Sequence, residues 1–470
     1  MSSEYQSSQL PPPAIMPPLD SNFRPAILAM RAFQAAAKER PLSIQVALER
    51  NDSSVTRVDT FVVDGSSPAA NGNFLQLERL IKFLLWSRGG WKLWFNGPRE
   101  LGERLRGHYQ SSVAGRFDAS LMGKIYEHPF EVVLADAGEI PLGREQSTSL
   151  GRHLRGCRIG FDLGASDRKV AAVIDGKVVF SDETVWDPRP QVDPQWHFDQ
   201  IMDSLQRAAA HLPRVDAIGG SSAGVVVNNR IMVASLFRGV PEALFESRVK
   251  NLFQELKRAW KNIPFEVVND GEVTALAGAM ALNENGVLGV AMGSSEAAGY
   301  VTTEGRITQW LNELAFAPVD YNPQAPLDEW SKDAGCGVQY FSQQAVGRLV
   351  GAAGLEKDVK PGLPLPERLV EVQRLMSRGD ERAARIYQTI GVYLGYAVAQ
   401  YAEFYDFRHL LILGRVTTGA GGDIILSRAR EVLEKEFGEL SSRLALHTPD
   451  EKEKRHGQAI AAASLPVARL

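Results

Sequence analysis

Three turns in this 470-residue chain join small residues to the ends of apolar strands: Asp162 to Ser166, Gly293 to Gly299 and Gly414 to Gly422. Small residues let backbone N–H groups approach phosphate oxygens closely, and a helix N-terminus beyond the turn adds a favourable dipole. A carboxylate at a strand end, as at Asp162, is placed to hold Mg²⁺ directly or through water, because Mg²⁺ takes few protein ligands. Each turn alone is ordinary turn chemistry. Their order and spacing together point to phosphate. Another strand end carries Asn269-Asp270, a pair that in isolation reads as a helix N-cap.

The elements that position these residues follow from periodicity. Residues 1–21 hold five prolines among Ser and Gln and are expected to form a disordered or extended arm. Residues 22–155 read as a small α/β domain of unknown function: strands at Ser43 to Leu48, Val58 to Val63 and Trp91 to Phe95, helices at Phe74 to Trp86 and Glu100 to Tyr109. From Arg158 onward, strand pairs with acidic or glycine-rich ends alternate with helices, twice over. The helices include Phe245 to Trp260, an Ala-rich Thr274 to Leu282, Glu381 to Phe404 and a Gly-led run from Gly419 to Phe437. A repeated α/β unit around a cleft fits this order.

Composition narrows the field. Lys and Arg total 52 against 56 Asp and Glu, a net charge of -4 that disfavours nucleic-acid binding. Two cysteines, Cys157 and Cys336, exclude a disulfide scaffold and a zinc site of several thiolates. No apolar run reaches the roughly 18 residues of a membrane span and no export signal opens the chain, so a cytoplasmic protein without membrane partners is expected.

Residues 157 to about 466 resemble the ROK family of repressors, open reading frames and sugar kinases, within the actin-like ATPase superfamily. RIGFDLGASDRKVAAVIDG resembles the first phosphate motif, with Asp162 and Gly164 kept and Ser166 supplying a hydroxyl where the family has Thr. EVVNDGEVTALAGAMA resembles the strand, Asn-Asp pair and Ala-rich helix; LGVAMGSSEAAGYVTTEGRI the second phosphate motif; HLLILGRVTTGAGGDII the adenosine motif; and HGQAIAAASLP the closing helix. The resemblance implies an α/β fold of the two-lobed, ribonuclease H-like actin type, with a cleft. Lobe 1 is expected at 156–282, with a closing helix at 455–466 returning to it, and lobe 2 at 283–454. It implies phosphoryl transfer from ATP·Mg²⁺ to a hydroxyl of a small-molecule sugar, with homodimer formation as an option.

Under that resemblance Asp270 is the base that accepts the hydroxyl proton as the new bond forms. Asn269, Glu313, Phe316 and Tyr340 contact the sugar. Asp162, Gly164, Ser166, Gly293, Ser294, Gly414, Gly419, Gly421 and Gly422 hold the nucleotide, with Asp162 also on Mg²⁺. The departures are specific. Ser295, Ala297 and Ala298 replace central glycines of the second motif, and Glu296 stands between them, inward or turned to solvent. Phe316 replaces a zinc-binding, sugar-contacting His, and one Cys remains of three, so no zinc site is expected. Phe316 and Tyr340 are read either as ring-stacking residues or as local core. The alternative to a kinase is a catalytically weakened sugar or nucleotide sensor.

Overall fold

In the computed structural model, which describes residues 10–148, 150–448 and 451–468, the alternation of Ile44, Val46 and Leu48 inward becomes a central strand of the N-terminal sheet. The elements begin with α1 (Ala26–Ala37), β1 (Pro41–Glu49), β2 (Val55–Val63), α2 (Asn73–Arg88), β3 (Lys92–Asn96), α3 (Arg99–Ser111), α4 (Val113–Tyr126) and β4 (Glu131–Leu134). They continue with β5 (Ser147–Thr148), β6 (Cys157–Leu163), β7 (Asp167–Ile174), β8 (Lys177–Val185), α5 (Pro194–Ala209), β9 (Ala217–Ser222), β10 (Val225–Val227), β11 (Arg230–Val233), α6 (Glu242–Ser247), α7 (Leu252–Ala259), β12 (Phe265–Asn269) and α8 (Asp270–Leu282). The last part holds β13 (Val287–Met292), β14 (Glu296–Val301), β15 (Ile307–Thr308), α9 (Gln343–Ala352), α10 (Leu365–Ser377), α11 (Glu381–Tyr401), β16 (His409–Leu413), α12 (Ala420–Glu436), α13 (Gly438–Ser441), β17 (Ala445–His447) and α14 (Glu451–Ala463).

The chain forms two compact units. One holds the described residues up to Gln146 together with Val290–Ala298 and Gln309–Thr448; the other holds Ser147–Gly289, Gly299–Thr308 and the described C-terminal residues. The N-terminal sheet, in order β2-β1-β3-β4, thus shares a unit with the segment carrying Glu313 and the glycine turn at Gly414. The same unit holds β16 and β17, which are parallel, and the parts of β13 and β14 within Val290–Ala298.

The other unit is built on a five-stranded sheet in the order β12-β9-β6-β7-β8. Strands β12, β9 and β6 are parallel, and β7 and β8 continue antiparallel. Helix α14 lies across β6 and β9 so closely that only glycine fits beneath it. A Cβ at Gly160 would stand 1.9 Å from the Ala459 carbonyl oxygen, and one at Gly219 would stand 1.8 Å from that of Ala462. The α14 side chains Ala459 and Ala463 pack with Ala171 and Val173.

Two sequence expectations are corrected. Of the arm, residues 1–9 lie outside the described residues, but 10–21 are docked rather than disordered. The Ala14 and Ile15 N–H groups donate to Glu436 Oε1 at 3.1 and 3.3 Å, the Leu19 N–H to Thr389 Oγ1 at 3.2 Å, and Tyr393 Oη donates to Asp20 at 2.6 Å. A proline-rich stretch satisfies few of its own backbone groups, so acceptors on α11 and α12 fix it in place. The single helix expected over Phe245 to Trp260 is broken into α6, a 3₁₀ turn at Val249–Asn251 and α7. The break lets Val249, Leu252, Phe253 and Leu256 all reach the core. No helix among the described residues is long and apolar enough to cross a membrane.

Candidate active site

In the unit built on the five-stranded sheet, register gathers the acidic residues. Asp162 of β6 pairs with Ser221 of β9, and Asn269 of β12 pairs with Ser222, so all stand at the carboxyl ends of three parallel strands. Ligands of open α/β sheets bind at such ends. Ser221 Oγ donates a hydrogen bond to Asp162 Oδ1. Across the antiparallel pair, Asp162 faces Lys169, whose ammonium also lies 3.2 Å from Asp167. Burial pushes the Asp162 carboxyl above the usual carboxylate range, against the pull of Ser221 and Lys169.

Asp270 opens α8. Burial, reinforced by the charge of Asp162, pushes its carboxyl up to about 6, while the Gly271 N–H, 3.0 Å from Oδ1, pulls the other way. A carboxylate tuned to this range accepts a proton efficiently near neutral pH. Asn269 is the N-cap of α8: its Oδ1 accepts from the Gly271 N–H at 2.7 Å and its Nδ2 donates to the Gly224 carbonyl at 2.8 Å. The capping role that the isolated pair suggested is therefore real, and one Nδ2 hydrogen remains for a ligand. Gly164 and Ser166 form the turn between β6 and β7. The Gly164 N–H donates to Asp167 O at 3.0 Å, its carbonyl accepts from Trp186 Nε1 at 2.8 Å, and Ser166 is exposed with its Oγ 2.7 Å from Asp167 Oδ2. Asp162 fits a bound cation, because a positive charge there relieves the mutual repulsion of the two carboxyl groups.

The other unit holds the remaining turns. Gly293 and the exposed Ser294 and Ser295 form the β13–β14 turn; a Cβ at Gly293 would meet no atom closer than 3.6 Å, so the space beside its backbone is open to a ligand. Gly419, with φ 67°, caps the 17-residue α12 and is equally uncrowded. Gly414 has a different reason to be glycine: its φ is 100° and a Cβ would stand 2.5 Å from the Met292 carbonyl. Gly421 and Gly422 are buried and serve packing, since added carbons would strike the Tyr387 ring at 2.6 Å and Thr417 O at 2.5 Å. Beside Arg415 and Thr418, α10 residues including Leu369, Val370 and Gln373 bound a cavity of about 510 Å³, with Gln373 Nε2 donating to the Arg415 carbonyl at 2.8 Å.

Tyr340 is not available to a sugar. It is 0% exposed, its hydroxyl donates to Asp320 Oδ2 at 2.7 Å, and its ring packs on Tyr393 and Phe23 at 4.9 and 5.8 Å. The core reading holds for this residue because Phe23, just beyond the arm, closes over it. Phe316 is half-buried, with its ring 4.3 Å from that of Trp86 and 5.4 Å from that of Phe117. Glu313, half-buried, precedes a 3₁₀ turn at Leu314–Phe316.

Glu296 turns inward. It is 2% exposed, Tyr401 Oη donates to its Oε1 at 3.4 Å, and its Oε2 has no hydrogen-bond partner among the described residues. Burial, with the charge of Glu313 adding to it, pushes this carboxyl up to about 8. The unfolded chain then releases this proton from about pH 4.5, whereas the folded one keeps it to about 8. Stability therefore falls as pH rises through that window. Glu296→Gln is expected to flatten the fall by up to about 1.4 kcal/mol per pH unit. Melts of both proteins from pH 5 to 8 check this, and parallel curves would contradict it.

The sequence reading did not single out Lys169, Ser221 or Trp86. Lys169 and Ser221 become visible only once strand register places them beside Asp162, and Trp86 only once α2 is packed.

No protein-family model matches the sequence, and no curated protein matches it. Solved structures do. A ROK family glucokinase from Streptomyces griseus in complex with glucose and AMPPNP superposes with a TM-score of 0.52 at 19% identity, covering 66% of this chain and 98% of its own. A ROK hexokinase from Thermus thermophilus gives 0.50 at 17%, covering 65% and 96%. A ROK family transcriptional regulator, a homolog of the E. coli MLC protein, gives 0.53 at 19%, covering 66% and 79%. The chain thus shares its α/β fold with ROK proteins, both kinases and a transcriptional regulator.

Proposed function

We infer that the protein transfers the terminal phosphoryl group of ATP to a sugar hydroxyl. The observation that carries this reading is Asp270: a carboxyl tuned to about 6, at a helix N-terminus and beside a second carboxyl at the ends of parallel strands. A sugar hydroxyl attacks phosphorus poorly while it keeps its proton, and Asp270 takes that proton as the bond forms. The remaining Nδ2 hydrogen of Asn269 orients a sugar hydroxyl, and the resemblance assigns Glu313 to sugar binding. The open space beside Gly293 and Gly419 admits phosphate oxygens close to the backbone, and Asp162 holds Mg²⁺. Bound Mg²⁺ neutralises charge on the transferring group.

A sugar or nucleotide sensor is the second reading. It is favoured by Ser295, Ala297 and Ala298, with Glu296 between them, in place of a glycine-rich turn and by the inaccessible Tyr340. Both readings require nucleotide or sugar binding; only the first requires turnover. Melting with ATP and Mg²⁺ separates them from a protein that has lost nucleotide. At a hundredfold excess over the dissociation constant the gain is about 2.7 kcal/mol. A melting temperature unmoved by millimolar ATP·Mg²⁺ would overturn the kinase reading.

A further inference from the structure

We propose that helix α2 of the N-terminal segment is a positioning element for the Glu313 site, with Trp86 its key residue. The proposal rests on Glu313 as a ligand-binding residue and concerns what holds it in place. A helix ends with carbonyls that lack intrahelical partners. In α2 two of these are spent on the candidate site: the Trp86 carbonyl accepts the Glu313 N–H at 2.9 Å, and the Ser87 carbonyl accepts the Asn312 N–H at 3.0 Å. Asn312 itself sits in the left-handed region at φ 52°, its Oδ1 accepting from Tyr405 Oη at 3.0 Å, so the approach to Glu313 is fixed from both sides.

The same helix grips the next turns. The Trp86 ring packs 4.3 Å from Phe316, and its Nε1 donates to the buried Asp118 at 3.0 Å, which fixes the plane of the indole. One turn earlier, Lys82 Nζ lies 3.0 Å from Asp118 and 2.9 Å from Asp333, and Arg79 also reaches Asp333 at 2.9 Å. All four charged groups are buried, so their mutual pairing is enforced by the cost of leaving any one alone. Asp333 stands just before Cys336, and the Cys336-Gly337 stretch pairs back on Ala317 and Pro318; the Gly337 N–H donates to Ala317 O at 2.9 Å. Both sides of the Glu313 turn are thereby tied to one helix. The N-terminal segment is in this respect a wall of the site.

Two measurements test this. In amide hydrogen exchange of the native chain, Asn312 and Glu313 should be protected to the same degree as the last turn of α2, because they open with it. In Trp86→Leu the exchange of residues 312–317 should rise about tenfold or more, with β6 and β9 unchanged. Sugar affinity should fall about tenfold while ATP·Mg²⁺ affinity stays within about twofold, and Trp86→Phe should restore most of the sugar affinity. Loop-like exchange at Asn312 and Glu313 in the native chain overturns the proposal without need of any variant. So does a Trp86→Leu protein in which sugar and nucleotide affinities fall together, as a merely structural role would make them. If no sugar from a hexose panel binds the native chain, Glu313 as a sugar residue fails, and the exchange data alone then decide the positioning role.

Discussion

Asp270→Asn is expected to lower turnover roughly 10²–10⁴-fold while sugar and ATP·Mg²⁺ binding change little. Asparagine keeps the size of the side chain and an oxygen that can accept from Gly271, but it has no place for the proton leaving the sugar hydroxyl. The pH profile sharpens the expectation. Burial and the charge of Asp162 push the native carboxyl up to about 6, so kcat/KM should rise through that region and level off above it. The variant should lack this limb. Steady-state kinetics from pH 5 to 8, with dissociation constants measured in parallel, decide the matter. An Asp270→Asn protein that keeps most of its turnover, or that keeps the same pH limb, would remove Asp270 from the chemistry.

Gly219→Ala should give the largest loss of stability. The new methyl would occupy space 1.8 Å from the Ala462 carbonyl, so α14 has to lift from β9. Lifting it uncovers Ala459 and the fully buried Ala461, Ala462 and Ala463, and loosens β6, which carries Asp162. Overpacking against backbone at such range costs about 3 kcal/mol or more. Gly65→Ala is the matched control, because that glycine is exposed and no atom lies within 4 Å of its added carbon. Thermal melts should show Gly219→Ala several degrees below both the native chain and Gly65→Ala. Coincident melts would mean that α14 does not need its close seat on the sheet.

Much of the frame was legible because it rests on local pattern. Alternation marked β1, strand ends marked Asp162 and Asn269-Asp270, and Gly and Ala runs marked α8 and α12. What escaped depends on partners distant in sequence. The proline-rich arm reads as unstructured on composition, yet Glu436 and Thr389 supply the acceptors it lacks. Tyr340 and Phe316 are both aromatic residues in the same stretch, and only packing separates the one sealed under Phe23 from the one against Trp86. Gly421 lies in a phosphate-like motif, but its missing side chain makes room for Tyr387. The sequence left Glu296 open between facing inward and facing solvent; its neighbours Tyr401 and Gly337 lie against it inside.

The most direct test is a panel of sugars, hexoses first because the Streptomyces griseus structure holds glucose and AMPPNP, incubated with ATP and Mg²⁺. Sugar mass and ADP are read in the same samples. The predicted result is one sugar class that gains a single phosphoryl group, with ADP released in equal amount and neither product formed by Asp270→Asn. A sugar that binds the native protein tightly, yet is recovered unmodified with no ADP above the sugar-free control, would contradict the kinase and leave a sensor.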